Sequence, residues 1–244
     1  MKSDSKRSTV FQHTACQKEH SGYKTDEMIF HHTVNPIAAK KMVRGYNKFI
    51  QKILKINLRK DNVCIDLGCG AGYITKEFQS HGLNIKGLEY SDDATNAIKR
   101  HNPDLDIVQS DMASFIEINT YDLIFSREVY LITRVNAFSD QYKVISNIIE
   151  SLKSSGVFIL VGSNISYPHC MDYDLIIKTF RKDDRLSLVT AKYYDIVFEK
   201  LNKYVYGKVS YKLLELLIRP VLFYKKRCKN KSWADKYIIA FIKR

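Results

Sequence analysis

Val63-Cys64-Ile65-Asp66-Leu67-Gly68-Cys69-Gly70-Ala71-Gly72-Tyr73 is the stretch on which the reading of this chain turns. Val63 to Leu67 is short, β-prone and largely apolar, as a strand buried in a parallel sheet must be. Glycines follow at alternate positions, 68, 70 and 72. Tyr73 to Ser80 then has helical spacing, with Ile74 and Phe78 on one face. Strand, glycine turn and helix together form a nucleotide-type pocket, because glycines let a backbone approach a ligand closely. The spacing is not the dinucleotide fingerprint Gly-x-Gly-x-x-Gly, since the third glycine arrives one residue early and Asp66 stands two residues before the first. A carboxylate at that place would repel a pyrophosphate and suits a ligand with a cationic amino-acid end.

Downstream spacing agrees. Leu83 to Leu88 reads as a second strand ending in Glu89, 21 residues after Gly68, where an acid can accept both ribose hydroxyls. Leu105 to Ser110 reads as a third strand, followed by Asp111-Met112, and Tyr121 to Phe125 as a fourth, opening onto Ser126-Arg127-Glu128. From about residue 60 to 162 this series resembles the class I S-adenosylmethionine-dependent methyltransferases. The resemblance implies S-adenosyl-L-methionine as cofactor, with S-adenosyl-L-homocysteine as product. It implies cofactor contacts from Asp66, Gly68, Cys69, Gly70, Gly72, Tyr73, Glu89, Tyr90, Asp111, Met112, Ser126 and Arg127. In that family the acid at the position of Asp111 contacts the adenine amino group and its neighbour packs on the ring. The implied fold is α/β, Rossmann-like and seven-stranded, mostly parallel with an antiparallel terminal strand.

The remaining chain fits around that core. Residues 1–22 are polar and without periodicity. Tyr23 to Asn35 carries Tyr23, His31 and His32. Asn35 caps a helix that begins at Pro36 and runs to about residue 56 with an apolar stripe of Ile37, Val43, Tyr46, Ile50, Ile53 and Leu54. In the resembling family an N-terminal helical segment closes over the cofactor, so the resemblance implies that residues 1–59 are an N-terminal tail and lid helix, and 60–244 the cofactor domain. Asp92 to His101 and Asn136 to Lys153 are further helices; Gly156 supplies the freedom for the turn into an all-apolar fifth strand, Val157 to Val161. Met171 to Arg181 reads as a helix, Leu186 to Asp195 as a sixth strand and 196–230 as a helical, basic insertion. Lys236 to Lys243 is the seventh strand, pairing antiparallel at the sheet edge.

Acceptor chemistry belongs beyond the carboxyl ends of the strands. The candidate bases there are Glu128 and His169, with His31 or His32 reaching over from the lid; Tyr23, Tyr130, Arg134 and Tyr167 are candidate acceptor contacts. Ser126-Arg127-Glu128 is similar to the Ser-Arg-Asp of small-molecule N-methyltransferases such as the phosphoethanolamine enzymes. Those continue with a histidine where this chain has Ile132 and Thr133. The Asn/Asp-Pro-Pro-Tyr/Phe motif of base and glutamine methyltransferases is absent after the fourth strand, as is a Pro-Cys nucleophile. A small molecule follows as the acceptor: a sugar or nucleotide-sugar of surface polysaccharide synthesis, or a phosphorylated amine. Two other readings stay open, an RNA methyltransferase that uses the basic flanks as a groove and a non-catalytic binding protein that keeps the fold.

Charge is unevenly distributed. The net charge of +13 divides into +9 over residues 1–60, −6 over 61–198 and +10 over 199–244. Basic flanks attract phosphates, nucleic acid or an anionic membrane surface, or simply solvate exposed helices. Lysine outnumbers arginine 28 to 11, which argues against dedicated bidentate phosphate reading. The five cysteines (16, 64, 69, 170 and 228) are scattered without metal-ligand spacing, so no metal is expected. Their pattern, a polar N-terminus without an apolar leader and the lack of a spanning apolar run give the expectation of a cytoplasmic protein with, at most, peripheral membrane contact.

Overall fold

A computed structural model describes residues 36–52, 54–133, 138–163, 173–194, 213, 216–217, 220 and 236–244. The elements, in chain order, are α1 (Pro36–Lys52), β1 (Val63–Leu67), α2 (Tyr73–Ser80), β2 (Asn84–Glu89), α3 (Asp92–His101), β3 (Ile107–Gln109) and β4 (Tyr121–Arg127). They continue with α4 (Tyr130–Thr133), α5 (Phe138–Ser151), β5 (Leu152–Ser163), α6 (Tyr173–Phe180), β6 (Leu186–Tyr194) and β7 (Lys236–Lys243). The strands form one seven-stranded sheet in the order β3-β2-β1-β4-β5-β7-β6. β3 to β5 are mutually parallel, and β7 runs antiparallel to both β5 and β6. Strand order reverses between β1 and β4, which places a ligand crevice at the carboxyl ends of those strands.

Alternation along the strands builds two apolar layers. Ile65, Ile124, Phe158, Leu160 and Ile239 face one side, with Val144, Ile145, Ile148 and Ile149 of α5 and Ile176 and Phe180 of α6. Cys64, Leu123, Phe125, Ile159 and Ile238 face the other, with α1 and α2. Seven side chains of α1 are buried there, Ala38, Ala39, Met42, Val43, Tyr46, Phe49 and Ile50. The Tyr46 ring lies 5.1 Å from Phe125 and 6.3 Å from Phe78. The helix expected as a lid is therefore a layer of the core. The tail residues Tyr23, His31 and His32, and the cap Asn35, lie outside the described residues.

The structure moves two features of the sequence reading. β7 sits between β5 and β6, so β6 is the edge strand and the antiparallel seventh strand lies one place inward. The turn after α5 takes its left-handed residue from Ser155 (φ 63°), not from Gly156. Gly156 is needed for space instead: a Cβ there would stand 2.8 Å from the carbonyl oxygens of Lys153 and Tyr121. β5 accordingly starts earlier than expected, at Leu152, which pairs with Tyr121.

Helix α3 is fixed at both ends. Ser91 caps it, its Oγ accepting from the Ala94 amide, and Asp92 and Asp93 oppose Lys99, Arg100 and His101 along the helix dipole. At its end Asn102 donates its amide to the Ala71 carbonyl, 3.1 Å away, which ties α3 to the glycine turn.

Gly162 of β5 faces Tyr237 of β7, whose ring occupies the space that a side chain at 162 would take. Gly162→Ala should therefore destabilise the protein by about 1–3 kcal/mol. Urea denaturation would read this as a lower midpoint with an unchanged m-value.

Candidate functional site

The crevice is assembled by register. Leu67 stands opposite Leu88 and Ser126, and Glu89 opposite Gln109, so β1 to β4 end together. Gly68, Gly70 and Gly72 have φ of 70°, 58° and 77°, a left-handed run that side chains other than glycine resist. The Gly68 and Cys69 amides both donate to the Leu88 carbonyl, at 2.8 and 3.1 Å. A Cβ on Gly72 would lie 2.5 Å from Leu105 Cδ2, and one on Gly68 would lie 2.6 Å from Val129 Cγ2. The turn is thus pressed between β2, the loop after α3 and the loop after β4.

Glu89 holds this turn. One oxygen of its buried carboxylate accepts from the Gly70 amide at 2.8 Å, and the other from the Tyr90 and Ser91 amides, each at 2.9 Å. Asp66, also buried, accepts from Thr75 Oγ1 at 2.6 Å. Burial pushes the Asp66 carboxyl up to about 7, and the charge of Glu89 adds to this; the Thr75 hydroxyl and the Arg127 guanidinium act in the opposite direction. Asp111 follows β3. Its Oδ1 accepts from the Ala113 amide at 2.9 Å, and its Oδ2 has no partner among the described residues. Ser126, fully buried at the end of β4, has a hydroxyl without a hydrogen-bond partner among the described residues.

Other candidate residues are placed differently. The Tyr73 ring turns toward His101 of α3, with centroids 6.5 Å apart. Tyr90 is exposed at the mouth. Met112 packs half-buried against the α5 layer, and its carbonyl accepts from Asn147 Nδ2 at 3.3 Å. Cys69 lies half-buried against β2; a Cβ on Gly87 would come within 2.6 Å of its sulfur. Burial and the charges of Glu89 and Asp66 raise that thiol well above its ordinary range.

Glu128 has an unusual backbone, φ 54°. Its amide donates to the Val161 carbonyl at 2.8 Å, and its carboxylate pairs with Lys236 Nζ and, at 3.3 Å, with Arg127 Nη2. Three strands, β4, β5 and β7, thus converge on this one residue, β5 through its backbone amide and the other two through its carboxylate. Arg134, Tyr167 and His169 lie outside the described residues, as does the side chain of Tyr130. Sequence reasoning did not single out Thr75, Gly87 or Lys236. Lys236 is 108 positions from Glu128 and carries no local signal. Thr75 had one, a hydroxyl one turn into a helix that follows a buried acid.

A three-glycine turn bordered by strand-end carboxylates, on a sheet of this order, is the Rossmann-like architecture of the class I methyltransferase fold. Residues 65–160 match the family model described as a methyltransferase domain. Over 119 residues the chain is 26% identical to a trans-aconitate 2-methyltransferase of Rhizobium rhizogenes, covering 48% of this chain and 44% of that protein. The match therefore spans less than half of the curated relative's length. Among solved structures, an S-adenosylmethionine-dependent methyltransferase of Mesorhizobium loti is similar with a TM-score of 0.56 at 11% identity, covering 82% of this chain and all of that one. The glycopeptide N-methyltransferase MtfA, complexed with S-adenosyl-L-methionine, is similar with a TM-score of 0.56 at 10% identity, covering 84% and 94%. At such identities the likeness to these structures fixes the fold.

Asp66 gives the domain a pH signature. With its folded pKa raised from 3.8 to about 7, the fold favours the protonated acid, so this contribution is complete below about pH 4 and is lost as pH rises through 7. Stability should fall across that window by at most about 1.4 kcal/mol per pH unit. Comparing denaturation of the wild type and Asp66→Asn at pH 5 and pH 8 should show the decline much reduced in the variant.

Proposed function

We propose that this protein is an S-adenosylmethionine-dependent methyltransferase that moves a methyl group to an oxygen or nitrogen of a small molecule. A sugar or nucleotide-sugar of surface polysaccharide synthesis, or a phosphorylated amine, is the acceptor class that the reading favours. What supports the proposal is Asp66 on β1 and Glu89 at the end of β2, the latter bonded to the glycine turn, with Asp111 just beyond β3, the strand paired to β2.

The side chains fit such a cofactor by their chemistry. The cofactor presents a cationic amino-acid end, two ribose hydroxyls and an adenine amino group, all in need of acceptors, and this crevice offers carboxylates. Asp66 and the glycine turn would hold the amino-acid end, Glu89 the ribose and Asp111 the adenine. The open acceptor capacity of Asp111 and the unpartnered hydroxyl of Ser126 are places that a polar ligand can satisfy. When bound, the sulfonium supplies an electrophilic methyl group.

The protein's part is to align the acceptor and to accept its proton. Glu128 stands at the end of β4, anchored by Lys236 and Arg127. In this proposal it is the carboxylate nearest the acceptor, and its two cationic neighbours orient it and favour an acceptor that bears a phosphate or carboxylate. His169, His31 and His32 remain the proposed alternatives as base.

Calorimetry with S-adenosyl-L-methionine should show one site per chain, weakened by roughly tenfold or more in Glu89→Ala, as expected when a charged hydrogen-bond acceptor is removed. A methyl-transfer screen over sugars, nucleotide-sugars, phospho-amines and RNA, read by mass spectrometry, should give a product 14 mass units heavier, by about one CH₂, from one of the small-molecule classes. A methylated product from RNA alone would overturn the acceptor class.

A further inference from the structure

The outward face of α1 carries Lys40, Arg44, Lys48 and Lys52, all exposed and spaced i, i+4, i+8, i+12. They form a ridge roughly 18 Å long at 1.5 Å rise per residue. The opposite face is locked into the core by its seven buried side chains, so the ridge has a fixed shape and direction. Residues 36–60 contain eight lysines and arginines and no acid. Among the described residues none of the four ridge cations has a carboxylate partner. Such a row of like charges on a rigid support is destabilising by itself and calls for an external anion.

A second feature narrows the anion. Leu213, Leu216 and Leu217 are helical and 60%, 63% and 63% exposed. Their spacing puts all three on one helical face. The sequence around them, residues 200–231, holds ten lysines and arginines against the single acid Glu215. Exposed leucines within a strongly cationic stretch are the marks of a segment that lies in a lipid interface. A nucleic acid would have no use for these leucines.

We infer that the basic flanks of this protein dock on an anionic phospholipid surface, the α1 ridge supplying charge attraction and the leucines at 213, 216 and 217 supplying apolar insertion. The contact is peripheral: among the described residues no helix is long and apolar enough to cross a membrane. Charge plus insertion gives two signals, which lasting attachment to a bilayer requires. The inference concerns where the protein works and is separate from which acceptor it methylates.

Flotation of the full chain with phosphatidylcholine vesicles, with and without phosphatidylserine as the anionic lipid, tests it. Binding should require the anionic lipid and weaken as salt is raised. Replacing the ridge by Lys40→Gln, Arg44→Gln, Lys48→Gln and Lys52→Gln together should weaken it by roughly tenfold or more. Leu213→Ser, Leu216→Ser and Leu217→Ser together should abolish whatever binding survives high salt. All seven side chains are exposed, and thermal melting would confirm that the variants stay folded. Equal binding to neutral and anionic vesicles, unchanged binding by the ridge variant, or retention on single-stranded RNA with vesicles ignored would overturn the inference.

Discussion

The Glu89 carboxylate is the joint on which this structure depends. It stands where β2 ends and accepts hydrogen bonds from three backbone amides, one in the glycine turn after β1 and two in its own following loop. Burying an ionised acid is costly unless amides or cations satisfy it, and here one of the three amides comes from a turn that only glycines can shape. The turn thus satisfies the acid, and the acid orients the turn. Neither half has a reason to be where it is without the other.

From that joint the rest of the crevice follows. Asp66 lies one strand over, close enough to feel Glu89, and the proximity together with burial drives its carboxyl toward neutral pH. Two buried acids side by side make a site that is strained when empty of positive charge and relieved by a cation. Arg127 supplies part of this relief from β4, and the ligand of the proposed reaction, cationic at two places, would supply the remainder. The proposed acceptor side has the opposite balance: Lys236 and Arg127 both bear on Glu128. In the proposed reaction, a donor pocket rich in acid would lie next to an acceptor edge rich in base, at the end of β4.

Much of this was legible in the sequence. The short β-prone runs made β1, β2 and β4 readable from the sequence, with Asp66 inside the first and Glu89 ending the second; Asp111 was implied by the resemblance to the methyltransferase family. What escaped depends on contacts between distant positions. Gly87 looks like an indifferent residue within a strand until Cys69 is seen lying against it. Lys236 looks like the solvated start of the last strand, yet it is buried against Glu128. The place of β7 between β5 and β6 is a matter of strand order, which periodicity does not encode. Ser155 took the left-handed turn that glycine was expected to take, because Gly156 is pinned between two carbonyls and its neighbour must absorb the bend.

The central claim is that the acids at the ends of β1, β2 and β3 enclose one adenosyl ligand. A crystal structure of the chain with S-adenosyl-L-homocysteine tests it most directly. The account predicts density lying along the glycine turn, with the ribose hydroxyls on Glu89 and the adenine amino group on Asp111. Density anywhere else, or a crevice that stays closed by the Glu89 contacts at saturating ligand, would contradict it.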